Sequence, residues 1–413
     1  MADFTLQKLA LQDLDVKGKR VLLRLDLDVP VDDRGNVIDD RRIRDGAPTI
    51  RAVIAKGGTP VVLGHLTRSK TRPIDHYRID RVGKVLREMF GWNRVVTTID
   101  AGGPASQAVV RFTTPGFIIL LENLRFDPRE EQNDPVFADW LARMGHCYVN
   151  DDFASLHLSH ASIVGLPARF PGAAAAGPGV DDELRMFDRV FRAPIQPFVA
   201  LLGGCDYFHL GERVELVDAL LDRCQTIMVG GLLAYTFLAA GGHSIGGIWI
   251  DPEPIQRAVE VLNRAAAMNV RLMLPVDHVL VSDRSRHGTG SIAHGDIPFN
   301  WSAADIGPAT AKSYAHVLRA AKTVFWHGPM GRAENERFAA GTHEVGAAIA
   351  ASSALAYVCG NDTTQAARRL KLQGTNTHLA RGAAVAGLLL QGKPIAGLDA
   401  LTDHPRAELA AAR

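Results

Sequence analysis

Apolar residues in this chain fall into short unbroken runs, separated by longer stretches with helical spacing. The runs are Val21-Leu22-Leu23, Val61-Val62-Leu63, Phe117 to Leu121, Cys147-Tyr148-Val149, Phe198 to Leu202, Thr226 to Val229, Arg271 to Leu274, Thr323 to Trp326 and Ala354 to Val358. A run without polar alternation predicts a strand covered on both faces, and such strands alternating with helices predict parallel sheets. Asp181 to Ala193 reads as an amphipathic helix stopped by Pro194 and Pro197, which places a domain boundary there. The short Ala-rich stretches, Ala173–Ala176 and Ala410–Ala412, read as low complexity. The fold class expected is α/β, and 413 residues are enough for two domains of ordinary size.

Composition narrows the class. The hydrophobic fraction is 47% and the charged fraction 22%, which argues for packed cores rather than disorder. A net charge of +1 gives no basic field, so nucleic acid is not an expected partner. No apolar run approaches the roughly 18 residues of a membrane span, so no membrane partner is expected. Cys147, Cys205, Cys224 and Cys359 form no CxxC pair and no His/Cys cluster, and Met1 to Leu6 lacks a basic-then-apolar leader. A reduced, cytoplasmic protein is the expectation.

Polar residues gather just after the predicted strands: Asp26 and Asp28, His65 and Arg68, Glu122-Asn123 and Arg125, and Asn150 to Asp152. In open α/β sheets ligands bind beyond the carboxyl ends of strands, so the first half should carry a ligand site of mixed charge. The equivalent places in the second half hold Gly203-Gly204, Gly230-Gly231, Gly328-Pro329-Met330-Gly331 and Gly360-Asn361-Asp362. Glycine there permits close approach of a phosphate or a flat base, although tight strand-to-helix turns use glycine for steric reasons too. Four such turns in one half point to a nucleotide site.

The residues at these places resemble the phosphoglycerate kinase family. The matching segments run from Val21 to Leu401. They include Arg24 to Pro30, Arg42-Ile43-Arg44, Gly64 to Arg68, Leu121 to Phe126, Val149 to Phe153, His157 with His160-Ala161-Ser162, Ala234 to Leu238, Asp305 to Pro308, Trp326 to Gly331 and Phe338 to Thr342. The resemblance implies two Rossmann-like three-layer αβα domains joined by a hinge helix. Residues 1–183, with the tail 399–413 packing back, would bind the acid, and 184–398 the nucleotide. It also implies a monomer that moves a phosphoryl group between ATP or ADP and a carboxylate with Mg²⁺, a reaction governed by positioning and charge neutralisation.

Residue by residue, the resemblance makes Arg42 the arginine that orients the carboxylate and Asp26 the acceptor for a substrate hydroxyl. A surface helix arginine and a turn aspartate are the plainer readings. His65, Arg68, Arg125 and His157 would receive the substrate's remote phosphate, while Arg125 could instead pair with Glu122 or Asp127. Gly203, Gly204, Gly230, Gly231, Gly360, Asn361, Thr363 and Arg381 would lie against the nucleotide, with Glu334 on its ribose and Asp362 on its magnesium. Asp362 could equally cap a helix, and Glu334 could be a solvated surface acid.

The chain departs from the family pattern at chemically important places. Asp206 and Leu210 stand where the family has lysines, and Leu158 where it has arginine. Asp28 replaces an asparagine, which would put two carboxylates, Asp26 and Asp28, on the same face of one strand and favour an amine-bearing ligand. Cys359-Gly360-Asn361 replaces a triple glycine, Ala380 to Ala386 replaces a phosphate-cradling loop, and His327 replaces an asparagine. A reversed charge beside phosphates costs transition-state stabilisation unless another group substitutes. His209, or a second metal on Asp206, is a candidate substitute, and Arg381 a candidate new charge. The first expectation is an enzyme phosphorylating a carboxylate other than 3-phosphoglycerate, with an amine as a further acceptor in a ligase. The others are a non-catalytic binding or regulatory relative, and an ordinary phosphoglycerate kinase.

Overall fold

The computed structural model describes residues 6–67, 74–282, 290–372, 374 and 376–404. The chain forms two compact units, Met1–Arg185 with Gly392–Arg413, and Met186–Gln391. The boundary falls inside the helix Pro178–Phe187, which is followed by a π-helical turn, Asp188–Arg192. That helix therefore starts before the expected Asp181 and is no longer α-helical by Ala193. The returning segment joins the first unit from Gly392, earlier than the expected 399. Its buried Ile395, Leu398 and Leu401 anchor it, and Leu9 N–H donates to the Thr402 carbonyl at 2.8 Å.

The first unit is built on six strands: β1 (Arg20–Leu25), β2 (Thr59–Leu63), β3 (Val95–Thr97), β4 (Ile118–Leu120), β5 (Cys147–Asp151) and β6 (Ala174–Ala176). They lie in the order β3-β4-β2-β1-β5-β6, all parallel. The central strands β2 and β5 are buried at every position, as a sheet covered on both faces requires. The alanine stretch is thus an edge strand, its small side chains buried beside β5 rather than low-complexity chain. Val21, Leu23, Ile43, Ile50, Val62 and Val149 form the core between sheet and helices.

The second unit repeats the plan with β7 (Phe198–Leu202), β8 (Thr226–Val229), β9 (Arg271–Met273), β13 (Thr323–His327), β14 (Leu355–Cys359) and β15 (Thr377–Leu379), the numbers between belonging to β10 (Asp277–Ser282), β11 (Ser291–His294) and β12 (Trp301–Ile306). The large sheet runs β15-β14-β13-β7-β8-β9, all parallel. Strands β10 to β12 form a small antiparallel sheet with its own apolar cluster around Leu232, Tyr235, Leu280 and Ile297. The sequence pattern missed this sheet because its strands carry polar and half-buried residues instead of an unbroken apolar run. Among the described residues no helix is long and apolar enough to cross a membrane.

Candidate functional site

In the first unit β1 lies between β2 and β5, so connections leave its two sides in opposite directions and open a crevice at the strand ends. Asp26 follows β1 directly. Arg42, in the first turn of the helix Arg41–Ala55, places Nη1 3.3 Å from both carboxylate oxygens of Asp26. Burial, reinforced by nearby Asp152 and opposed by Arg42, pushes the Asp26 carboxyl up to about 7. An arginine paired with a carboxyl that titrates near neutrality can orient a planar oxyanion and exchange a proton with it.

Beneath this pair lies a buried polar layer that sequence reasoning did not identify. Arg24 is 1% exposed and Asp152 0%, and they pair at 2.8 Å. Arg24 also donates to Ser162 Oγ at 3.2 Å and to the Leu25 carbonyl at 2.6 Å, and it contacts His65 Nδ1 at 2.7 Å. Ser162 in turn donates to Glu130 at 2.5 Å. A guanidinium buried at a strand end is costly unless compensated, and here Asp152, Ser162 and His65, from three other segments, join the adjacent Leu25 carbonyl around it.

This layer changes the roles of the predicted phosphate receivers. His65 is buried, and burial together with Arg24, Arg125, His160 and Arg42 holds it well below the usual histidine range. It is a neutral ring whose Nδ1 accepts from Arg24, not part of a cationic patch. Asp26 and Asp28 both lie beyond the end of β1, so they do not share a strand face as expected, although Asp28 remains close enough to act on Asp26 and Arg42. The Asp28 carboxylate accepts from Thr67 N and Oγ1, both at 2.7 Å. Arg125 donates to Thr67 Oγ1 at 3.0 Å and pairs with Glu131 at 3.5 Å. The expected partners are taken, Asp127 by Arg129 and Glu122 by Arg78 and the Ile79 N–H. His157 is exposed, and Arg68 lies outside the described residues.

In the second unit the glycine turns interlock. Gly203 N–H donates to the His327 carbonyl, Gly204 N–H to Pro329, Gly230 N–H to Leu202 and Gly231 N–H to Met330, at 2.7 to 2.9 Å. A Cβ on Gly203 would stand 2.2 Å from the Pro329 oxygen, and one on Gly231 2.4 Å from the Gly204 oxygen. Gly203 and Gly231 are closed in by backbone, whereas a Cβ on Gly204 would meet the Arg213 guanidinium and one on Gly230 the Met330 side chain. The four N–H groups are already matched, so they offer no anion cradle.

Beside the glycines lies an open pocket lined by Gly231, Tyr235, Ile248, Asp305, Met330 and Arg332 among others. Its walls mix apolar and polar groups, with the Tyr235 ring and Ile248 beside Asp305 and Arg332. Of the lining residues, Gly231 was anticipated as a nucleotide contact, and Tyr235, Asp305 and Met330 lie in quoted segments of the resemblance, while Ile248 and Arg332 were not anticipated. Glu334 is exposed and close enough to help push the Cys205 thiol up to about 11.

Next to the cavity lie the loop 203–209, the end of β13 and the helix Asn361–Arg369. His209 is exposed and faces two acids, Asp206 at 3.7 Å and Glu212 at 3.3 Å. Asp362, in the helix's first turn, is exposed, as are Asn361 and Arg381. Gly360 is the N-cap with φ +92°, where a side chain would be strained. Thr363 is buried and its Oγ1 accepts the Gly328 N–H at 2.7 Å, tying the β13 turn to this helix. Burial and the neighbouring Arg213 hold His327 at about 3, so it is neutral. Arg213, in the helix Leu210–Leu220, was missed in sequence; its guanidinium donates to the Gly203 carbonyl and lies against Gly204. Among the described residues no three His, Cys, Asp or Glu side chains are grouped to hold a metal. A single carboxylate such as Asp362 suits a magnesium ion carried in on phosphates, which takes one or two protein ligands.

A family model described as phosphoglycerate kinase matches residues 11–393. A phosphoglycerate kinase of Chloroflexus aurantiacus is 36% identical over 403 residues, covering 96% of this chain and 100% of that protein. One of Pelotomaculum thermopropionicum is 37% identical over 398 residues, covering 96% and 99%. Among solved structures, phosphoglycerate kinase from Coxiella burnetii superposes with a TM-score of 0.82 at 31% identity, covering 95% of this chain and 98% of that one. The Pyrococcus horikoshii enzyme gives 0.80 at 26% identity with the same coverage.

Proposed function

Because the chain belongs to the phosphoglycerate kinase family, whose kinase fold it has in both units, we propose that it is an ATP-dependent phosphotransferase acting on a carboxylate other than 3-phosphoglycerate. The acid binds the first unit, where Arg42 orients the carboxylate and Asp26, titrating near 7, accepts a hydrogen bond from it or from an adjacent hydroxyl. The nucleotide binds the second unit, with its base in the cavity beside Gly231 and Tyr235, its ribose near Glu334 and its phosphates towards Asp362. Magnesium bound with the nucleotide neutralises charge on the transferring group, and Asp362 is its protein ligand.

One observation carries the departure from 3-phosphoglycerate. Two of the places expected to receive a remote dianionic phosphate have no cation, His65 being neutral and bound to Arg24 and position 158 being leucine, while Arg125 also contacts Glu131 and Thr67. A substrate lacking that phosphate fits such a site better. The Asp28 carboxylate is engaged by Thr67, and the reading stops at the acyl phosphate.

The test is ADP release with ATP, Mg²⁺ and a panel of carboxylates that includes 3-phosphoglycerate, with hydroxylamine trapping of acyl phosphate. Turnover of a carboxylate lacking a phosphate, exceeding that of 3-phosphoglycerate, is the expected result. Preferential turnover of 3-phosphoglycerate would make this an ordinary member. No ADP with any acid, despite nucleotide binding, would favour the second reading, a binding protein. Asp206 in place of a cation supports that alternative.

A further inference from the structure

We propose that Arg213 is the cation that meets the nucleotide's phosphate chain in the second unit, supplying from within a helix the charge missing at positions 206 and 210. The inference rests on the nucleotide reading above. Residue 213 is one turn on from Leu210, and side chains at i and i+3 share a helix face. Helical side chains also lean towards the N-terminus, so a long one covers the turn before its own Cα. Arg213 accordingly reaches back to the loop that ends β7, where Nη1 donates to the Gly203 carbonyl. A Cβ on Gly204 would come within 1.9 Å of Nη1 and 2.7 Å of Cζ. The guanidinium therefore lies flat on a surface that only glycine leaves open.

Its surroundings are those of a phosphate site without the phosphate. Asp206 and Asp362 both act on Arg213, and His327 beside it is held neutral. Two carboxylates and a polyphosphate cannot share this corner without cations, and Arg213 supplies one. Its Nε is buried with no hydrogen-bond partner, while the Gly203 carbonyl engages a different nitrogen. A buried N–H aimed at no protein acceptor is unusual, and a phosphate oxygen satisfies it. The arrangement also joins the ends of β7 and β13 to the start of the helix Asn361–Arg369, neighbouring positions along one sheet edge.

Calorimetry on the full chain with Mg-ATP and with adenosine tests this. In Arg213→Met the ATP affinity falls about tenfold or more while adenosine affinity stays within about twofold, so the ratio of the two collapses. Adding Asp206→Lys to that variant restores most of the ATP affinity. Arg213→Gln, which keeps a donor for the Gly203 carbonyl, carries the same test if Arg213→Met does not fold. An unchanged ATP affinity overturns the inference and leaves the nucleotide reading standing. Equal losses for ATP and adenosine mean a structural role and also overturn it. A wild-type chain that binds neither compound overturns the nucleotide reading, and the inference with it.

Discussion

Asp152→Asn should destabilise the first unit by about 3 kcal/mol, although it changes one atom of a side chain. Arg24 and Asp152 are 1% and 0% exposed and pair at 2.8 Å. Removing one member of a buried pair costs roughly 3–5 kcal/mol when it leaves an uncompensated charge. Here the loss belongs at the lower end, because Ser162 links Arg24 to a second carboxylate, Glu130. Asparagine keeps the oxygen that accepts the Ser155 N–H at 3.2 Å, so the cap at that turn survives and the charge is what is tested. Arg24→Met should cost more, about 4–5 kcal/mol, because it strands both carboxylates. Glu130, already raised by burial and held down by Arg24, would be raised further in the folded state. The folded chain would bind the extra proton, so the stability of Arg24→Met would fall as pH rises through the raised value. The double variant Arg24→Met with Asp152→Asn should cost less than the two singles combined, since each single already breaks the same charge pair. Urea denaturation with an unchanged slope is the measurement. A loss below about 1 kcal/mol for Asp152→Asn, or additive losses in the double variant, would refute the account.

Three further outcomes follow from particular contacts. Gly203→Ala should destabilise more than Gly204→Ala in thermal unfolding, because the first Cβ meets the Pro329 carbonyl at 2.2 Å. The second meets only the movable end of Arg213, although at φ +101° it adds about 1–2 kcal/mol of backbone strain. The reverse order would show that the turns do not interlock as described. Asp26 is raised from 3.8 to about 7, so its ionised form is disfavoured in the folded state and its contribution to stability falls between those values as pH rises. Asp26→Asn should therefore gain relative to wild type between pH 4 and 7 in denaturation experiments, and a flat difference would place the carboxyl at its ordinary value. Asp28→Ala should cost about 1–2 kcal/mol and speed amide exchange at Thr67, whereas Asp28→Asn should cost less, because an amide oxygen still accepts one bond. Unchanged exchange at Thr67 in the alanine variant would release Asp28 for a ligand after all.

The apolar runs were enough to place nine strands, because a strand buried on both faces must be apolar at nearly every position and that signal is local. They were not enough for β6, whose alanines are too small to register as a hydrophobic run, for the short β3 and β15, or for β10 to β12, whose runs are broken by polar residues such as the buried Asp277, His278 and Asp305. The matched segments brought Asp26, Arg42 and Asp362 into view one residue at a time, since each follows a strand or opens a helix. What those residues meet was decided elsewhere in the chain. His65 is neutral because the fold buries it and Arg24, distant in sequence, donates to its Nδ1, and Asp28 is occupied because Thr67 folds onto it. The glycine N–H groups are matched because turns from β7, β8 and β13 pack on one another. The sequence shows a reversed charge at Asp206. Tertiary structure alone brings Arg213 back over the preceding helical turn to the same corner, because a guanidinium reaches across space to where the fold, and not the chain, puts its partners.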